Sequence, residues 1–196
     1  NLLDLIARVK DSGADLGIGY DGDADRIGVV DPQGEIIWGD KLLTIFARDI
    51  LKDNPGATVL GEVKCSQVLY DDVKAHGGKP LMWKTGHSLI KEKIRQTGAL
   101  IGGEMSGHIF FKHRWFGFDD AIYASLRLLE LVSRTPGGLT ALTADIPSTV
   151  STPEIRTDCA EELKFGIVRE VQRIYRQRDD VELIDIDGAR VNYPGG

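Results

Sequence analysis

Short apolar runs alternate with amphipathic stretches along most of this chain, and Gly, Pro, Asn and Asp separate them. Thr58–Val63, Pro80–Lys84 and Ala99–Gly102 read as strands, whereas Lys41–Lys52, Gln67–His76, Ser88–Thr97 and Asp119–Arg134 read as helices. In the first helix Leu42, Leu43, Ile45, Phe46 and Ile50 fall on one stripe behind Asp40, an N-cap residue type. A helix between successive strands carries the chain back along the sheet, so neighbouring strands run parallel. The expected fold is α/β: a layered, mixed but largely parallel sheet with flanking helices.

The flanks differ. Residues 1–12 read as a helix stopped by Gly13, followed by strands over Leu16–Tyr20 and Ile27–Val30. Asp31-Pro32-Gln33-Gly34 is a β-turn leading into Glu35–Trp38. Thr135-Pro136-Gly137-Gly138 ends the last helix of the main block, and residues 147–153 read as a linker. A further helix, Leu163–Arg178, and a strand, Val181–Ile186, follow. The chain opens inside a helix and stops at Tyr193-Pro194-Gly195-Gly196, a turn awaiting a strand, so a piece of a longer protein is expected.

Composition narrows the function. A formal charge of −6 argues against nucleic acid as a partner, because binding it relies on basic surface. No apolar stretch approaches the ~20 residues of a membrane span, so no membrane partner is expected. The two cysteines, Cys65 and Cys159, lie far apart without metal-type spacing and are expected to be reduced thiols of a cytoplasmic protein.

Between the first two strands lies Asp21-Gly22-Asp23-Ala24-Asp25-Arg26. Three carboxylates in one tight turn repel one another unless a cation neutralises them, and hard oxygen ligands suit Mg²⁺ or Ca²⁺. A single Asp-Gly pair would be an ordinary solvated turn, but three alternating carboxylates closed by an arginine favour a metal site. An EF-hand does not fit, since it would need Gly and Glu where the chain has Arg26 and Pro32.

Two more loops at strand ends carry unusual chemistry. Lys84-Thr85-Gly86-His87-Ser88 opens a helix and presents free backbone N–H groups beside Lys84 and His87, which suits an anion. The same residues also fit a plain N-cap by Ser88 with an incidental histidine. Gly103-Glu104-Met105-Ser106-Gly107-His108 alternates a carboxylate, a hydroxyl and an imidazole, which in an extended loop would project to one side. Together they could grip a polyol and move a proton. Lys64 adds a cation at the same edge, although spacing alone reads equally as a surface lysine.

Taken together these stretches closely resemble the α-D-phosphohexomutases, in the form of the bacterial phosphomannomutase/phosphoglucomutases. The acidic hexapeptide resembles the family's Mg²⁺ loop, and Glu104-Met105-Ser106-Gly107-His108 its sugar-recognition loop. Val63-Lys64-Cys65, Trp83–Ser88 and Arg114-Trp115-Phe116-Gly117-Phe118-Asp119-Asp120 strengthen the likeness, and Met105 stands where phosphoglucosamine mutases usually carry Gln. The resemblance covers essentially the whole chain. It implies that residues 1–35 end a second domain, 36–147 form a complete third, and 148–196 begin a fourth. It also implies a phosphoserine loop and a phosphate-binding loop that do not occur in this sequence, so the chain alone is expected to be inactive.

The implied reaction interconverts hexose 1-phosphate and hexose 6-phosphate, of glucose or mannose, through a hexose 1,6-bisphosphate. By resemblance Asp21, Asp23 and Asp25 hold Mg²⁺, Arg26 faces the transferred group, and Glu104 and Ser106 hold sugar hydroxyls. His108 is implied as the acid/base, with Lys64, Lys84 and His87 as further contacts. A monomer or weak oligomer is expected. Rival readings are an Mg²⁺-dependent phosphatase, a glycosyltransferase and a non-catalytic sugar-phosphate or metal-binding module. The first is disfavoured by Asp25, where haloacid-dehalogenase-like phosphatases usually carry Thr or Val.

Overall fold

The computed structural model describes residues 2–150, 152 and 155–194. They belong to two units, Asn1–Pro147 and Ser148–Gly196. The first opens with α1 (Leu3–Ser12), closed by Gly13 in the left-handed conformation at φ 65°. Strands β1 (Gly17–Tyr20), β2 (Ile27–Val30) and β3 (Ile36–Ile37) form an antiparallel sheet in sequence order. The expected turn joins β2 to β3: Gly34 donates to the Asp31 carbonyl at 2.9 Å, and the Asp31 carboxylate accepts the Gln33 and Glu35 amides.

Then come α2 (Gly39–Asp53), β4 (Thr58–Glu62), α3 (Gln67–Ala75), β5 (Lys79–Trp83) and α4 (His87–Thr97). Strands β6 (Ile101–Gly103) and β7 (Ile109–Phe111), then helices α5 (Ala121–Arg134) and α6 (Gly138–Thr143), complete the unit. The second sheet has the order β5-β4-β6-β7; its first three strands are parallel and β7 is antiparallel. Residues alternate across it. Val59, Ile101, Ile109 and Phe111 join the main core with Ile27, Val29, Ile37, Leu42, Phe46 and Leu128, whereas Leu60 and Phe110 pack with Ile90 and Ile94 of α4 on the other face. Because β4, β5 and β6 are parallel, the loops after them emerge at one edge, where ligands bind in such sheets.

Several local details depart from expectation. Helix α2 starts at Gly39 without a side-chain cap. Asp40 instead turns its carboxylate to the amides of Lys41 and Ser66, at 2.9 and 3.0 Å, pinning the loop after β4. Helix α4 starts at His87, after Gly86 at φ 126°, so Ser88 does not cap it. Residues 104–108 are not extended. Glu104 donates to the His108 carbonyl at 2.9 Å and Gly107 to the Glu104 carbonyl at 3.1 Å, closing a hairpin turn. So short a connection cannot cross over, which forces β7 antiparallel.

The second unit contains α7 (Glu161–Tyr175) and the antiparallel pair β8 (Glu182–Ile184) and β9 (Arg190–Asn192). The expected linker and terminal turn fall partly on Ser151, Pro153, Glu154, Gly195 and Gly196, outside the described residues. Both cysteines are free, Cys65 buried and Cys159 exposed. No helix among the described residues is long and apolar enough to cross a membrane.

Candidate functional site

The acidic run forms the turn from β1 to β2. Arg26 closes it, donating its amide to Asp21 Oδ1 at 3.2 Å and its Nε to Asp21 Oδ2 at 2.6 Å. Ala24 takes a left-handed conformation at φ 59°, and its carbonyl accepts the Ala121 amide at 3.1 Å, which anchors the loop to α5. Carboxylate oxygens of Asp21, Asp23 and Asp25 come within 4.8 Å of one another. Asp25 Oδ1 is buried without a hydrogen-bond partner among the described residues. Burial, together with Asp21 and Asp23, pushes the Asp25 carboxyl up against the opposing pull of His108. Burial also raises Asp21, but hydrogen bonds from Arg26 outweigh it and hold that carboxyl below the usual range. Crowded hard oxygens, one of them orphaned, fit a divalent cation such as Mg²⁺.

This loop is stitched to the β6–β7 turn. Ile27 donates its amide to the Gly107 carbonyl at 3.1 Å, and Arg26 and His108 form an antiparallel bridge. A Cβ on Gly107 (φ 100°) would stand 2.5 Å from the Ile27 carbonyl oxygen, so the approach requires glycine. The seam places His108 Nδ1 3.6 Å from Asp25 Oδ2 and 3.3 Å from Asp119 Oδ2. His108 Nε2 lies 3.9 Å from Glu104 Oε2. The buried Glu104 carboxylate accepts the Ser106 hydroxyl at 3.0 Å and the Gly86 amide at 2.8 Å, which joins the turn to the start of α4. The His87 and His108 rings lie at 18° with centroids 6.0 Å apart.

The fold therefore gathers Asp21, Asp23, Asp25, Arg26, Glu104, Ser106, His108 and His87 at one edge. Lys64 approaches through Glu62, with Nζ 3.7 Å from Oε1. Lys84 is exposed and joins none of these contacts among the described residues. A cavity of about 500 Å³ beside the seam is lined by Asp21, Arg26, Trp38, Met105 and Ser106, among others.

Comparison with known proteins gives this cluster a family. Domain III (alpha/beta/alpha) of phosphoglucomutase/phosphomannomutase matches residues 38–150, and domain II matches residues 1–34. The chain belongs to the phosphoglucomutase/phosphomannomutase family. It is 52% identical over 196 residues to a phosphomannomutase/phosphoglucomutase of Pseudomonas syringae pv. tomato, covering 100% of this chain and 42% of the relative. It is 46% identical over 197 residues to a phosphoglucomutase of Neisseria gonorrhoeae, with 100% and 43% covered. A crystal structure of a phosphoglucomutase/phosphomannomutase family protein from Burkholderia thailandensis superposes with a TM-score of 0.89 at 45% identity, over 99% of this chain and 41% of that one. The chain thus spans less than half the length of these relatives.

Within this family member, four residues at the site had no role assigned from the sequence: Glu62 and Lys91, and Thr85 and Asp119, which stood only as members of quoted stretches. The Asp119 side chain, 7% exposed, faces His108 Nδ1, lies 3.6 Å from His87 Nδ1 and accepts from Lys91 Nζ at 2.9 Å. Lys91 Nζ is also 3.1 Å from His87 Nδ1. The signal for Asp119 was the Asp119-Asp120 pair. Asp120 caps α5 by accepting the Tyr123 amide at 2.8 Å, which leaves its neighbour, bridged to Phe110, to serve the loops. The signal for Glu62 was a carboxylate at the end of an otherwise apolar strand.

Proposed function

We propose that this chain carries the cation loop and the sugar-recognition turn of a phosphohexomutase, which moves a phosphoryl group between the 1- and 6-positions of glucose or mannose phosphate. The observation that carries the reading is the backbone seam between Arg26-Ile27 and Gly107-His108. It sets three carboxylates, a guanidinium, an imidazole and a sugar-gripping carboxylate side by side. Asp21, Asp23 and Asp25 would hold Mg²⁺, which when bound neutralises charge on the transferring phosphoryl group. Arg26 faces that group with a planar donor pair. Glu104 and Ser106 hold sugar hydroxyls in a grip that serves either orientation of the bisphosphate.

His108 takes the proton of the attacking hydroxyl as the new O–P bond forms and the bond to the phosphoserine implied by the family breaks. The reverse transfer returns that proton. Asp119 stands 3.3 Å from His108 Nδ1, and Nε2 points toward Glu104. Lys64 and Lys84 add positive charge for the phosphates, and His87 is a further contact. Residues 1–35, 36–147 and 148–196 would be the end of the second domain, the third domain and the start of the fourth. The two free thiols suit a reducing, cytoplasmic compartment.

A hybrid enzyme tests this. In it, the chain replaces the matching residues of the Pseudomonas syringae relative. Conversion of glucose 1-phosphate to glucose 6-phosphate, lost in Asp23→Asn, is the expected result. A folded hybrid that only releases inorganic phosphate would overturn the mutase reading in favour of a phosphatase. The 196-residue chain by itself is expected to give no turnover, because no phosphoserine loop occurs in it.

A further inference from the structure

The last residue of β4, Glu62, is fully buried at 0% exposure. Its Oε1 accepts the Met105 amide at 3.0 Å and lies 3.7 Å from Lys64 Nζ. Its Oε2 accepts the Thr85 hydroxyl, and its backbone carbonyl accepts the Tyr70 hydroxyl at 2.6 Å. Burial pushes this carboxyl above the usual range, against the pull of Thr85, Lys64 and the Met105 amide.

A buried carboxylate is a poor choice for packing alone, since an apolar side chain of similar volume carries no desolvation cost. What a carboxylate provides here is direction. One group reaches three loops from three parts of the sequence: the loop with Lys64, the loop that opens α4 with His87, and the turn with Glu104 and Ser106. The bond from Gly86 to Glu104 ties two of these loops a second time.

We propose that Glu62 is a positioning residue that sets the spacing of these three loops and, through them, the grip on the sugar phosphate. It touches no reacting atom and acts through Thr85, Met105 and Lys64. The proposal rests on the sugar-phosphate reading above.

Two variants of similar volume separate direction from packing. Glu62→Gln keeps both bonds, its carbonyl accepting from Met105 and its amide donating to Thr85, whereas Glu62→Met keeps neither. Amide order parameters are measured on the ¹⁵N-labelled chain, followed by titration with glucose 1-phosphate in the presence of Mg²⁺. In Glu62→Met the amides of 84–87 and 103–107 are expected to fall from ~0.85 toward ~0.6 while those of α2 and α5 hold. Glucose 1-phosphate should bind roughly tenfold more weakly, because loops no longer fixed beforehand must be ordered on binding. Glu62→Gln should restore both.

Loops as ordered in Glu62→Met as in the unmodified chain would overturn the proposal. If Glu62→Met unfolds, Thr85→Val removes one arm alone. Order should then fall at 84–87 and persist at 103–107, and no change at 84–87 overturns the proposal. An unmodified chain that ignores glucose 1-phosphate contradicts the functional reading instead, and the order parameters still decide the role of Glu62.

Discussion

Replacing Gly39 by alanine puts a methyl group where the fold leaves no room. The added Cβ would stand 2.2 Å from the Glu104 carbonyl oxygen and 3.0 Å from both Gly107 N and the Met105 carbonyl oxygen. The obstacles are backbone on both sides, the first turn of α2 and the β6–β7 turn, so no change of rotamer relieves them. Carbon contacts settle near ~3.5 Å, so the two segments must part by roughly 1 Å. Overpacking of this kind costs about 1–3 kcal/mol. Alanine's better helix propensity recovers at most ~1 kcal/mol, and less at a helix start. With about half of that recovered, a net loss of roughly 0.5–2.5 kcal/mol follows from these two terms. In the hybrid enzyme, a turn displaced by ~1 Å should lower turnover by as much as ~100-fold.

Urea unfolding followed by tryptophan fluorescence reads the stability, and amide shifts at 104–108 read the displacement. Gly22→Ala is the control, because nothing lies within 4 Å of its Cβ position; it should stay within about 0.5 kcal/mol. A Gly39→Ala chain as stable as that control, with unmoved shifts at 104–108, would refute the reasoning that α2 packs directly against the β6–β7 turn.

Two further outcomes are expected. Asp120→Ala removes the cap on α5 and the acceptor of Trp115 Nε1 at 3.2 Å, and urea titration should show a loss of about 1.5–3 kcal/mol. His113 is held below its ordinary value by burial and by Arg127 and Arg114, against weaker opposition from Asp49 and Asp53. The unfolded chain therefore takes up a proton at higher pH than the folded one, so this contribution is complete above ~6.5 and lost as pH falls below it. His113→Gln should flatten the pH dependence of the urea midpoint in that window, and an unchanged profile would remove His113 from the account.

The alternation of strands and helices was legible because burial on both faces of a parallel sheet leaves short apolar runs that Gly and Pro delimit. Thr58–Glu62 and Lys79–Trp83 appeared within a residue of their expected ends. The hairpin to β7 was not read, although a five-residue connection after Gly103 already excluded a crossover. β8 (Glu182–Ile184) falls inside the strand expected over Val181–Ile186, whereas β9 and the short α6 carry too few residues for a periodic signal. At the site, the acidic turn and Glu104–His108 stood out because their chemistry is concentrated in a few consecutive residues. Asp119 and Glu62 did not, because each acts on partners far away in sequence. Asp119 meets His87, Lys91 and His108, and Glu62 meets Thr85 and Met105. Such pairings exist only once the strand order is known.

The central claim is that Asp21, Asp23 and Asp25 form a cation site joined to a sugar-recognition turn. The most direct measurement is an NMR titration of the ¹⁵N-labelled chain with Mg²⁺ and then glucose 1-phosphate, beside Asp23→Asn. The account predicts Mg²⁺ shifts centred on residues 21–26 that vanish in Asp23→Asn, followed by sugar-phosphate shifts at 104–108. Mg²⁺ shifts spread over the acidic surface and unchanged in Asp23→Asn would contradict it.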